Sequence, residues 1–147
     1  MHRSSIRLAA ILVALAAPVA AFAQVVSGPF MVFFNTGQTT LTPQAAAILD
    51  NAAEAYRNNA KEDPDMAGAQ VMIAGHTDRA VEGDAGVRES QIRANNVRDY
   101  LVARGIPAGV ITTEAFGSTR PLVDTAAGVS EPQNRRVEIT FGPGAGW

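Results

Sequence analysis

The chain has 147 residues, with 12 basic against 14 acidic side chains, no cysteine, and a net charge of −2. A single lysine, Lys61, and a mildly acidic balance cannot neutralise a phosphate backbone, so nucleic acid is excluded as a partner. The missing thiol removes thiol catalysis, thioether lipid attachment and cysteine-ligated metal, and two histidines, His2 and His76, are too few for a histidine metal cluster.

The first residues read as an export signal. Met1 to Arg7 carries positive charge and no acid, and Leu8 to Ala23 is apolar apart from Pro18. The stretch closes on Ala21-Phe22-Ala23, the small-x-small pattern that a signal peptidase reads. A membrane span needs about 20 apolar residues, and this run is shorter. Residues 1–23 are therefore expected to be a signal peptide cleaved after Ala23. Its loss removes Arg3 and Arg7, leaving 124 residues with a net charge of −4, enough for one domain over 24–141 and a flexible glycine-rich tail at 142–147.

Phe30 to Phe34 is apolar, aromatic and β-branched between Gly28-Pro29 and Asn35-Thr36-Gly37, and predicts a strand buried on both faces. Thr42-Pro43 places an N-cap hydroxyl before a proline at the first helical position, so a helix starts there. Ala45, Ile48, Leu49, Ala52 and Tyr56 keep the spacing of one apolar stripe. The segment Lys61 to Gly68, centred on Asp63-Pro64-Asp65, reads as a turn, and Val71 to Ala74 as a second strand ending at Gly75. A charged, glycine-rich loop is expected over His76 to Gly86. A helix follows from Val87 to Arg104, with Ala94, Val97 and Leu101 inward, Gly105 as a left-handed cap and Pro107 preventing continuation. Val110 to Phe116 predicts a third strand. Asn134 to Phe141 predicts a fourth, with Val137, Ile139 and Phe141 on one face and Arg136, Glu138 and Thr140 on the other. The result is an α+β sandwich of βαβαβ-β order, a mixed sheet with helices on one face.

From Phe33 to Phe141 the chain resembles the OmpA-like periplasmic domain. The resemblance is carried by Phe34-Asn35 with Leu41-Thr42-Pro43, Gly75-His76-Thr77-Asp78, Ser90 with Arg93-Ala94 and Val97, Leu101 with Gly105, Phe116-Gly117 with Pro121, and Asn134-Arg135-Arg136-Val137-Glu138. It implies a non-catalytic domain in the periplasm, associated with the cell wall or outer membrane, that grips the diaminopimelate of peptidoglycan without breaking it. It also implies that Asp78 and Arg93 form the two sides of the grip, with Asn35, Thr77, Asn134 and Arg135 contributing. That assignment is chemically sensible: diaminopimelate presents an ammonium and carboxylates, which call for a fixed carboxylate and a guanidinium fork. On residue parity alone, Arg135 turns with Val137 towards the helices, whereas Arg136 faces away in a solvated pair with Glu138.

His76 reads as a hydrogen-bonded structural residue, since a zinc site needs three or four ligands, and neither metal nor cofactor is expected. Two positions depart from the family's pattern. Gly86 replaces the usual asparagine and removes a hydrogen-bonding side chain; Glu89 replaces the usual leucine, and brings a carboxylate that can pair with Arg93 or compete with a ligand. These departures motivate an alternative, an envelope adaptor that keeps the fold but docks on outer-membrane or envelope proteins. An envelope hydrolase is the weakest reading, because no convincing acid-base pair is visible.

Overall fold

The computed structural model describes residues 29–63 and 68–142. The expected signal peptide, the middle of the turn after the first helix and the tail beyond Gly142 lie outside those residues. Along the chain come β1 (Phe30–Phe33), α1 (Pro43–Glu62), β2 (Val71–His76), α2 (Gly83–Ala103), β3 (Ile111–Gly117) and β4 (Arg136–Phe141). The strands form one mixed sheet in the order β1-β4-β2-β3, in which β4 runs antiparallel to both β1 and β2 while β2 and β3 are parallel.

Local chemistry starts and stops the helices where the residue types require. The Thr42 hydroxyl accepts from the Ala45 amide at 3.1 Å, and Pro43 occupies the first helical turn. The helix runs to Glu62, two residues into the segment read as a turn, and ends at Asp63, whose backbone is extended. At the end of α2, Gly105 adopts φ +96°. Its amide donates to Val102 and that of Ile106 to Leu101, a Schellman closure with Ile106 buried beneath it.

Ala45, Leu49, Ala52 and Tyr56 of α1 and Ala94, Val97 and Leu101 of α2 share one core with Val32, Val71, Ile73, Val137 and Ile139. The strand residues in that core have a single parity, so both helices lie on the same face of the sheet, as the periodicity predicts. The first strand is not buried on both faces: Phe33 is 43% exposed. β1 is an edge strand, and among the described residues no second layer covers the aromatic ring on the face it turns away from the helices.

Gly75 and Gly117 let α2 descend closely onto the sheet, and Gly86 lets its first turns close on the loop before them. A Cβ on Gly75 would stand 2.1 Å from the Ser90 carbonyl oxygen, one on Gly86 2.3 Å from that of Val81, and one on Gly117 3.1 Å from the Val87 amide nitrogen. Side-chain-free backbone at these points lets helix and strand ends touch directly. The Ser90 hydroxyl then donates to Val87 and accepts from the Gly117 amide, tying α2 to β3. α2 starts at Gly83, four residues before the expected start, and the contact with Val81 gives Gly86 a packing role in place of the side chain it lacks.

Candidate functional site

The parallel pairing of β2 with β3 and the antiparallel return of β4 gather the C-terminal ends of β1, β2 and β3 and the start of β4 at one end of the sheet. Asn35, Asp78, Arg93, Asn134 and Arg135 all belong to this end. The fourth strand begins at Arg136; Asn134 closes a short 3-10 turn over Pro132–Asn134, and Arg135 follows it. Pro132 at the head of that turn favours the tight turn over an extended start.

Asp78 is 2% exposed, and its carboxylate is held by four donors. Oδ2 accepts from Arg135 Nη1 at 2.7 Å, the Ser130 hydroxyl at 3.0 Å and the Glu131 amide at 3.0 Å, while Oδ1 accepts from the Ala80 amide at 3.2 Å. Burial pushes this carboxyl up, but Arg135, the Glu131 amide, Ser130 and the Ala80 amide together outweigh it and hold the group below the usual aspartate range.

Arg93 is fully buried on α2. Its Nε donates to Gln38 O at 2.9 Å, Nη1 to His76 O at 3.4 Å and Nη2 to Asn35 O at 3.5 Å, and Nη2 meets Glu89 Oε1 at 2.5 Å. The guanidinium also lies over the Phe34 ring, 5.1 Å from its centroid. Burial pushes its pKa down, Glu89 and Asp78 raise it and Arg135 lowers it further. The Glu89 pair expected from the four-residue spacing therefore exists, but on a buried arginine rather than a solvated one.

Asp78 and Arg93 each have another partner, Arg135 and Glu89 respectively. The Phe34-Asn35 backbone links the two halves, since Arg135 Nε donates to Phe34 O at 3.0 Å and Arg93 Nη2 to Asn35 O. Arg135 thus turns to Phe34 and Asp78, but from the turn before β4 and not as the strand residue that parity assumed. Arg136 departs from expectation: it is 4% exposed, with Nε 2.6 Å from Glu138 Oε1 and Nη2 donating to Arg120 O, so the pair is enclosed rather than solvated.

Thr77 and Asn134 use their side chains within the fold. The Thr77 hydroxyl donates to Val81 O at 3.2 Å. Asn134 Oδ1 accepts from the Leu122 and Val123 amides, and its Nδ2 donates to Val123 O, clasping the connection between β3 and β4. Asn35 is exposed and, with Arg135, lines a cavity of about 440 Å³ between the end of β1, the start of α1 and the turn before β4. That cavity adjoins the charged cluster, but neither Asp78 nor Arg93 lines it. Sequence reading missed Ser130 and Gln38, whose roles depend on contacts from distant segments with no local signature.

His76 follows a different chemistry from the one expected. It is 2% exposed and stacked on Phe116 with ring centroids 5.4 Å apart, and neither ring nitrogen has a hydrogen-bond partner among the described residues. Burial first, then Arg136 and Arg120, lower its pKa to about 3, so the imidazole is neutral despite Glu138 at 3.9 Å. The unfolded chain protonates at an ordinary pKa near 6.5, so it binds more protons than the folded chain from about pH 6.5 down towards pH 3. Stability is expected to fall across that window, by about 2–3 kcal/mol at pH 4.5. Urea midpoints measured from pH 7.5 to 4.5 should show this slope in wild type and a flatter one in His76→Phe; equal slopes would remove His76 as the cause.

Among the described residues no group of three histidine, cysteine or acidic side chains could hold a metal ion, and no helix is long and apolar enough to cross a membrane.

Comparison with known proteins identifies the architecture. The OmpA family model matches residues 33–135. The chain is 35% identical over 133 residues to outer membrane protein P5 of Haemophilus influenzae, covering 87% of this chain and 35% of that protein. It is 37% identical over 114 residues to the peptidoglycan-binding protein ArfA of Mycobacterium tuberculosis, covering 78% of this chain and 32% of that one. The chain thus spans about a third of the length of these relatives. Its fold is similar to the crystal structure of the peptidoglycan-associated lipoprotein of Burkholderia pseudomallei, with a TM-score of 0.66 at 20% identity, covering 85% of this chain and 99% of the other.

Proposed function

Because the chain belongs to the OmpA family, we propose that it is an exported, non-catalytic module of the cell envelope, formed by residues 24–141 after loss of a leader over 1–23, that binds peptidoglycan through the diaminopimelate of the stem peptide. The observation that carries this reading is the buried charge cluster at one end of the sheet, where Asp78, on the loop that leaves β2, and Arg93, on α2, lie next to Arg135 and the cavity it lines. Among the described residues Asp78 Oδ1 accepts only the Ala80 amide, which leaves it capacity for an ammonium. Arg93 supplies the guanidinium for a carboxylate, while Asn35 and Arg135 provide the cavity wall. Thr77 and Asn134 hold Asp78 and the β3–β4 connection in place. A relative described as peptidoglycan-binding supports the ligand class.

The test is co-sedimentation of the exported chain with purified diaminopimelate-type sacculi, comparing wild type with Asp78→Ala and Arg93→Ala after circular dichroism has shown each to be folded. Wild type is expected to pellet, and each variant to lose at least about tenfold in binding, as for a lost charge-assisted contact. Equal pelleting of all three, or none by wild type, rejects the reading. An adaptor that docks on an envelope protein, suggested by Glu89 on Arg93, would instead keep a cross-linked partner after wall digestion.

A further inference from the structure

The charges at the site are not matched evenly. Asp78 has an oxygen with a single bond, whereas Arg93 already holds a carboxylate. Among the described residues, three of the four polar contacts of Arg93 go to main-chain carbonyls of Gln38, His76 and Asn35. The fourth is Glu89, whose Oε1 lies 2.5 Å from Nη2. Arg93 has no surface of its own, while the Glu89 side chain keeps 19% of its area in solvent. A guanidinium and a carboxylate one helical turn apart on a helix surface form a favourable pair. Here the arginine is desolvated, which strengthens the attraction and makes an incoming second carboxylate a direct rival of Glu89.

We propose that Glu89 is a specificity-determining residue: it holds the place of a ligand carboxylate on Arg93, so the site accepts a stem peptide whose diaminopimelate carboxyl is capped as an amide at least as tightly as the free acid. This rests on the peptidoglycan reading and sharpens it. An ammonium still meets Asp78. An acid must displace Glu89 or bear its repulsion, whereas a neutral carboxamide can donate to Glu89 and needs no displacement.

The experiment measures binding of a synthetic stem tripeptide carrying diaminopimelate as the free acid, and of the same peptide as the carboxamide, to the exported wild-type chain, Glu89→Gln and Glu89→Leu. Wild type is expected to bind the amide as tightly as the acid or more so. Each substitution should tighten acid binding about tenfold or more while changing amide binding much less. A general loosening of α2 would move both ligands together, so the acid-to-amide ratio separates charge competition from a structural effect. If wild type binds but both variants leave that ratio unchanged, the role of Glu89 is overturned and the peptidoglycan reading stands. If no protein binds either peptide or intact sacculi, the reading itself falls and the inference with it.

Discussion

Truncating Asp78 to alanine is expected to lower the unfolding free energy by about 3–5 kcal/mol, the range for removing one partner of a buried ion pair. Among the described residues the Arg135 side chain, 7% exposed, would keep only Phe34 O and the Ser130 hydroxyl, and the Glu131 amide would lose its acceptor. Urea unfolding followed by circular dichroism measures the loss, and amide exchange at Glu131 should rise first, since that bond disappears outright. Asp78→Asn keeps most acceptor geometry without the charge and is expected to fall between the two proteins. The folded carboxyl is held below its ordinary value of 3.8, so this stabilisation is fully present above that pH and fades as pH falls through the folded value. A loss under about 1 kcal/mol for the alanine variant, the size of an exposed pair, would show that the carboxylate does not brace the connection.

Gly75→Ala is expected to cost about 3 kcal/mol or more, at the upper end of overpacking, because the new methyl would meet main chain rather than a side chain able to rotate away. Its nearest neighbours are the Ser90 carbonyl oxygen at 2.1 Å and carbonyl carbon at 2.8 Å. Relief requires α2 to lift from β2, which would also strain the Ser90 link to Gly117 and displace Arg93 from the carbonyls around it. Gly109→Ala is the control: a Cβ there meets nothing within 4 Å, and its thermal midpoint should lie within the small shifts of a surface substitution. Similar midpoints for the two variants would mean that the Gly75 contact does not limit how helix and strand approach.

The two substitutions separate scaffold from ligand chemistry. Asp78 braces the β3–β4 connection through Ser130 and Glu131, and under the proposed function it also receives an ammonium. A binding loss in Asp78→Ala is therefore interpretable only beside its stability, whereas Glu89→Gln touches no contact of that connection among those observed. The Glu89 experiment is the cleaner probe of ligand charge for that reason.

Local signals made much of the molecule legible in the sequence. Thr42-Pro43, the stripe from Ala45 to Tyr56 and Gly105 after α2 specify caps and faces through neighbours at most a few residues away, and the structure follows them. The order of landmarks around Gly75 to Asp78 and Arg93 identified the family as well. Where expectation and structure differ, the assembled fold supplies the reason: the Phe33 face of β1 is uncovered among the described residues, the fourth strand is shortened by a turn at Pro132, and Arg136 is enclosed by Glu138 and by Arg120 from the β3–β4 connection.

By itself, then, the sequence determined the elements, the side of the sheet on which the helices lie, and the presence of Asp78 and Arg93 after β2 and on α2. Only the tertiary structure decided how those charges are satisfied. The partner of Asp78 is Arg135, 57 residues away, and no periodicity can select it. Arg93 is paired with Glu89, which local spacing does favour, but its burial depends on Gln38, Asn35 and His76 from other segments. Helical spacing fixes which neighbours a residue can reach; the close approach of backbone at Gly75, Gly86 and Gly117 fixes which of those contacts are withdrawn from water.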